Sequence, residues 1–86
     1  MDKTVILGVK LNQRQISSLN FQKIITEYGC NIKTRVGIHN VLDGKCSTAG
    51  VILLDLIGTD EEVKAIEDAI KKIPEVEVQK MIFNHT

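Results

Sequence analysis

The chain predicts an α+β sandwich, a four-stranded antiparallel sheet with two helices on one face, and three observations carry that expectation. The same short unit occurs twice: Val5-Ile6-Leu7 lies on Val51-Ile52-Leu53, and the same offset carries Ile32 onto Val78, Val36 onto Ile82 and Gly29 onto Glu75. Each half reads as strand, amphipathic helix, strand. Two of the four strands are apolar and two are mixed, which separates the centre of a sheet from its edges. The helical stripes align at an offset one residue shorter (Phe21 on Ile66, Ile25 on Ile70, Tyr28 on Ile73), so one residue has shifted in the connections.

The first strand spans Thr4 to Lys10, with Val5, Leu7 and Val9 on one face and Ile6 on the other. Asn12 can cap the first helix, with Gln15 as its capping-box partner. Ile16, Leu19 or Asn20, Phe21, Ile24, Ile25 and Tyr28 form the apolar stripe of that helix. Gly29 suits a left-handed stop after it. The second strand, Asn31 to Ile38, carries Lys33, Thr34 and Arg35 as an edge should. His39 to Ala49 reads as a loop holding the turn signal Asp43-Gly44.

Val51 to Ile57 is the third strand, apolar on both faces except at Asp55. Thr59-Asp60-Glu61-Glu62 is a capping box with acids at the positive end of the helix dipole. Val63, Ile66, Ala69, Ile70 and Ile73 form the second stripe, and Pro74 ends it. Lys64, Lys71 and Lys72 with Glu61, Glu67 and Asp68 read as its solvated face. Val76 to Phe83 is a second edge strand, with Glu77, Gln79 and Lys80. Apolar strands in the middle and right-handed crossovers give the order 4-1-3-2, the ferredoxin-like βαββαβ sandwich.

Composition narrows the function. Eighty-six residues suit a single domain, 1–86, with one modest core. Eleven basic residues balance eleven acidic ones, so no global field draws in nucleic acid or an anionic membrane. The only aromatics are Phe21, Tyr28 and Phe83, too few to stack single-stranded bases. No apolar run approaches the roughly 18 residues of a membrane span. Met1-Asp2-Lys3 leads straight into a strand without a signal-peptide pattern, so a cytoplasmic location is expected and the Asn84-His85-Thr86 sequon carries no meaning. Cys30 and Cys46 form no Cys-x-x-Cys pair. A strand of about 8 residues, roughly 26 Å, separates them, which speaks against an internal disulfide.

Two helices cover one face only, yet Val51, Leu53 and Ile57 lie opposite Ile52, Leu54 and Leu56. Burial of each such side chain is worth roughly 1.5–3 kcal/mol. A homo-oligomer, formed through the sheet face or through edge strands, is therefore expected. The loop ends sort into two groups. The first strand-helix loop (Lys10 to Gln13) shares one end with the His39–Ala49 segment. Backbone N–H groups at Asn12, Gln13 and Arg14 can hold an anion such as a carboxylate. With Arg35, Ser47 and Thr48 they are the candidate ligand-binding residues. His39, Asp43 and Cys46 are candidate ligands for a transition metal, and Cys46 is alternatively a redox-sensing thiol. Two ligands from one chain are too few, so Asp43 or a second subunit would have to complete the site.

The run Ile32-Lys33-Thr34-Arg35-Val36-Gly37-Ile38-His39, the segment holding Cys46, Gly50-Val51-Ile52-Leu53-Leu54-Asp55-Leu56 and the closing Ile73-Pro74-Glu75-Val76 resemble the small stand-alone proteins known as iron-only hydrogenase system regulators. Those resemble in turn ACT domains and the C-terminal domain of the nickel-responsive repressor. The resemblance covers most of the chain and implies an oligomeric ferredoxin-like fold with a regulatory role and no catalytic residues. The repressor domain binds metal through a His-x-His pair and a Cys around the same hairpin. His39 and Cys46 fit that pattern loosely, but Gly37 stands where the second His would be and cannot ligate. The repressor's DNA-binding arm has no counterpart before the first strand.

The expected function is therefore a non-catalytic, ACT-like ligand-sensing module that acts on a protein partner. The alternative is a metal-binding protein using His39 and Cys46 across subunits. An acylphosphatase-like enzyme would want a glycine-bearing anion loop where this chain has Leu11-Asn12-Gln13 before Arg14. A metallochaperone would need Cys-x-x-Cys there, and an RNA-recognition module would need aromatics on the central strands.

Overall fold

The computed structural model describes residues 3–11, 15–42 and 45–85, and side chains at all of these except 15–18, 39–42 and 45–49. Strand β1 (Lys3–Leu11) leads to helix α1 (Gln15–Glu27) and a single 3-10 turn at Gly29–Asn31. Strands β2 (Ile32–Leu42) and β3 (Lys45–Leu56) follow, then helix α2 (Asp60–Lys71) and strand β4 (Val76–Asn84). The sheet order is β2-β3-β1-β4, antiparallel at each of its three pairings. This is the expected 4-1-3-2 order read from the other edge.

Alternation on β1 builds the core. Val5, Leu7, Val9 and Leu11 are buried, and the register sets them against Leu56, Leu54 and Ile52 of β3 and against Ile82, Lys80, Val78 and Val76 of β4. Phe21 and Ile25 from α1 and Val63, Ile66, Ile70 and Ile73 from α2 close over that face. The strand pattern and both helical stripes behave as expected, with one exception. Leu19 is 66% exposed and Asn20 is exposed as well, so among the described side chains the α1 stripe is Phe21 and Ile25, flanked by partly buried Ile24 and Tyr28, and the Ile16 side chain lies outside the described residues. Asn12 lies outside the described residues, and the described helix begins at Gln15.

The opposite face carries Ile6, Val36, Ile38, Val51, Leu53, Met81 and Phe83, because each is paired in register with another residue of that side. Val36, Ile38, Met81 and Phe83 are about half exposed. Leu53 Cδ2 lies 3.6 Å from where a Cβ on Gly8 would stand. Leu53 thus leans across the glycine and flattens the middle of the face.

The duplicated unit takes a definite phase in three dimensions. Val5 faces the helices, whereas Val51 faces away from them. A one-residue slip exchanges the two faces of a strand. The shorter offset that aligns the helices also aligns Leu7, Val9 and Leu11 with Ile52, Leu54 and Leu56, all on the helical side. The textual match Val5-Ile6-Leu7 is therefore out of phase with the fold.

Gly29 does not adopt the expected left-handed stop. Tyr28 (φ −101°, ψ 23°) passes directly into the 3-10 turn, whose Asn31 N–H donates to Tyr28 O at 2.9 Å. In the second half, Glu75 takes the positive φ (60°) in the turn before β4. The textual offset had matched those two residues, and only the non-glycine one is left-handed.

Asn31 ties two connections together at this end. Ile57 N–H donates to its carbonyl at 2.8 Å, and its side-chain Nδ2 donates to Ile57 O at 3.0 Å. The capping box next to it is complete: Glu62 N–H donates to Thr59 Oγ1 at 3.1 Å, and Thr59 N–H donates to Glu62 Oε1 at 2.8 Å. The Thr59 N–H first, then the Asn31 amide, hold the Glu62 carboxyl below its ordinary pKa. Gly58 bridges these groups at φ +131°, where a Cβ would stand 2.6 Å from Asn31 Nδ2 and 2.9 Å from Glu62 Oε1.

Glu67 departs from expectation. It is only 6% exposed rather than part of a solvated face. Lys80, on the helical side of β4, reaches Glu67 Oε1 at 2.9 Å, and Lys71 reaches Oε2 at 2.8 Å. Hydrogen bonds from Lys71 and then Lys80 lower the Glu67 pKa and outweigh its burial. This cluster fastens the edge strand to α2.

Two outcomes are expected. Gly58→Ala combines a steric clash with a left-handed backbone and should lower stability by about 1–3 kcal/mol in a denaturant titration. Because the Glu67 and Glu62 carboxyls have folded pKa values below their unfolded ones, their contribution is present above about pH 4.3 and is lost as pH falls through the depressed values. Glu67→Gln should cost about 1 kcal/mol at neutral pH, since both lysines remain partly solvated. It should also flatten the acid limb of a melting-temperature-against-pH curve.

Candidate functional site at the hairpin end of the sheet

Register locates the strand ends that flank the expected site residues. Leu11, the last residue of β1, pairs with Gly50, and Gly50 pairs with His39. The end of β1, just before Asn12, Gln13 and Arg14 in the chain, therefore lies beside the base of the β2–β3 hairpin. Leu11 also pairs with Val76, so the Lys72–Glu75 turn joins the same end. The sorting of loops to two ends is as expected.

The segment His39–Ala49 is not a loop. Strand pairing continues past His39 to Val41 opposite Cys46 and Leu42 opposite Lys45, after an irregularity between His39 and Val41. Neither β1 nor β4 accompanies it there, so a two-stranded arm extends beyond the four-stranded body. Its residues lack the alternation that marks a strand, which is why the sequence reads as a loop. Backbone pairing with β2 needs no such pattern. Asp43-Gly44 falls between the two strands and lies outside the described residues.

Ser47 and Thr48 lie on β3 between Cys46 and the arm's base at Gly50, and His39 lies on β2 at that base. The register sets Arg35 apart from this end. It pairs with Leu54 near the middle of the sheet, about 13 Å along the strand from His39. It belongs to the helical side of the edge strand, where its side chain is exposed. The positions of Asn12, Gln13, Arg14 and Asp43, and the side chains of His39, Cys46, Ser47 and Thr48, lie outside the described residues. Among the described residues, no three His, Cys, Asp or Glu side chains gather as metal ligands. Cys30 is a free, exposed thiol at the opposite end of β2 from Cys46.

Among the described residues there are also shallow clefts away from this end. One of ≈ 310 Å³ runs between the helices, lined by Asn20, Lys23, Ile24, Glu27, Ala69, Lys72 and Ile73. A smaller one, ≈ 190 Å³, lies beside the β4 edge and includes Lys3, Asp60, Glu67, Lys80 and Ile82. Within it, Lys3 forms an ion pair with Asp60 at 2.9 Å. Internal ion pairs engage the charges of this second cleft, which leaves it poorly suited to a charged ligand.

The arm's isolation has a measurable result. β3 residues from Val51 to Leu56 are paired on both sides, while Lys45 and Cys46 are paired to β2 alone. Hydrogen–deuterium exchange should be faster across Val41–Leu42 and Lys45–Cys46 than across Val51–Leu56, by orders of magnitude at neutral pH.

No family model matches the chain, and no curated protein matches it. Solved structures do. The uncharacterized protein TM1266 from Thermotoga maritima is 19% identical, with a TM-score of 0.80, over 95% of this chain and 99% of that one. A PII-like signaling protein from Thermus thermophilus is 12% identical with a TM-score of 0.55, covering 98% and 89%. CPII, a nitrogen regulatory PII-like protein from Thiomonas intermedia solved with ADP, AMP and bicarbonate, is 14% identical with a TM-score of 0.54, covering 98% and 96%. At these identities the likeness establishes the fold: the chain is a ferredoxin-like βαββαβ sandwich.

Proposed function

We propose that this chain is a non-catalytic, stand-alone regulatory module of the ACT-like kind. It self-associates and binds a small anionic effector where the β1–α1 connection meets the hairpin arm. One observation supports the reading above the others. The Leu11–Gly50–His39 register sets the end of β1, after which Asn12, Gln13 and Arg14 follow in the chain, beside the base of the arm whose β3 strand carries Ser47 and Thr48. A connection entering a helix offers N–H donors to an anion, and hydroxyls on a neighbouring strand can complete its coordination.

The half-exposed apolar side chains on the helix-free face support self-association. The PII-like neighbours, one of them solved with nucleotides and bicarbonate, support a regulatory role by analogy of fold. Net charge is zero, so the module acts on a protein rather than on nucleic acid. The sequence resemblance to iron-only hydrogenase system regulators supports the regulatory role.

A second reading rests on the arm itself. The arm carries His39 at its base, opposite Gly50, and Cys46 further out, opposite Val41, and with Asp43 or a second subunit they would hold a transition metal.

Native mass spectrometry of untagged, chelator-free protein tests both. The expected result is an oligomer that gains AMP or ADP on titration, with affinity reduced about tenfold by Arg14→Ala, the loss of one charge-assisted contact. A bare monomer that takes up neither nucleotide nor bicarbonate would remove the proposal. Retained metal that disappears in His39→Ala and Cys46→Ser would establish the second reading instead.

A further inference from the structure

The two edges of the sheet are not alike. β2 is interrupted twice in its pairing with β3, between Ile32 and Thr34 and between His39 and Val41. It also carries Lys33 and Arg35, both exposed. Bulges and charge are the usual guards against a foreign strand. β4 has neither guard in its second half. It pairs with β1 without a shift from Val76 to Asn84, so its outer edge is straight. Its Met81, Ile82 and Phe83 are 48%, 47% and 52% exposed. Three consecutive half-exposed apolar residues on a regular edge strand place apolar surface on both faces of that edge.

We propose that β4 pairs antiparallel with β4 of a second copy of this chain about a two-fold axis at Ile82, making one continuous eight-stranded sheet. This rests on the self-association in the functional reading, which it deepens, and involves none of the effector-site residues.

The register follows from geometry. An axis perpendicular to the sheet keeps the helices of both copies on one side, so opposed residues must share a face. The axis therefore passes beside a residue of β4 rather than between two. Centring on Lys80 would oppose two lysines, which is unfavourable. Centring on Met81 would set Lys80 against Ile82 and Gln79 against Phe83. Centring on Ile82 sets Met81 against Phe83 twice on the helix-free face and Ile82 against Ile82 on the helical face. Lys80 then meets Asn84, and Glu77 lies beyond the overlap.

All six apolar side chains gain apolar neighbours, no like charges meet, and the outward backbone groups of Lys80–Asn84 gain partners. On the helical side, Ile82 of the second copy approaches the small cleft that Ile82 already borders. Lys80 is held to Glu67 at 2.9 Å, which fixes one end of the paired stretch.

Disulfide trapping in a Cys30→Ser, Cys46→Ser background tests the register. Directly opposed residues have Cα atoms about 4.5–5.5 Å apart, within the range a disulfide spans. Ile82→Cys alone should form a covalent dimer under mild oxidation. Met81→Cys and Phe83→Cys should each remain monomeric on a non-reducing gel, yet cross-link when mixed. Ile82→Lys, at an exposed position that should not disturb folding, should retain its circular dichroism spectrum and lose the dimer in sedimentation. No cross-link from Ile82→Cys, equal cross-linking of every variant, or an unchanged assembly in Ile82→Lys would overturn the proposal. If that assembly still binds nucleotide, the functional reading stands without it.

Discussion

The packing of this molecule depends on the alternation along β1. Val5, Leu7, Val9 and Leu11 are buried on one side, and the strand carrying them is hydrogen-bonded to both β3 and β4. Because β1 is shared, a single decision about which way its side chains face determines the orientation of three strands. Both helices pack on that buried side, and among the described residues nothing covers the reverse face. The half-exposed apolar residues there follow from having two helices for four strands.

A second level of organisation lies at the sheet ends. At one end Asn31, Gly58, Thr59 and Glu62 form a tight polar knot in which a helix cap, a turn and a strand entry share hydrogen bonds. At the other end β2 and β3 run out into a two-stranded arm. Glycine is required at the knot because two polar atoms already occupy the space of its Cβ.

The legible parts of the fold were those written in periodicity. The alternation of β1, the two-sided apolar run of β3, the α2 stripe and the Thr59 capping box all depend on side chains with one plausible environment. The elements that escaped depend on something else. The arm is held by backbone pairing, and Lys45-Cys46-Ser47-Thr48 carries no alternation to betray it. Glu67 is buried because Lys80, far along the chain, lies beneath it, and a helical wheel contains no such information. Gly29 suited a left-handed stop, but the chain continued into a 3-10 turn and the positive φ fell on Glu75. At the candidate site, chain order was enough to put the end of β1 and the base of the arm at one end of the sheet. Arg35 was legible as a strand residue upstream of His39, and the register keeps it midway along the β2 edge, away from that end.

The two interruptions of β2 have a consequence for how far assembly can go. Endless growth of a β-sheet needs two compatible edges on every unit, one to receive and one to offer. A strand kinked at Lys33, and again near its arm, presents a broken row of donors and acceptors that a straight strand cannot match. Growth by strand addition is therefore confined to the β4 side and terminates after a single event. The chain can keep one apolar, unguarded edge without becoming a seed for fibres.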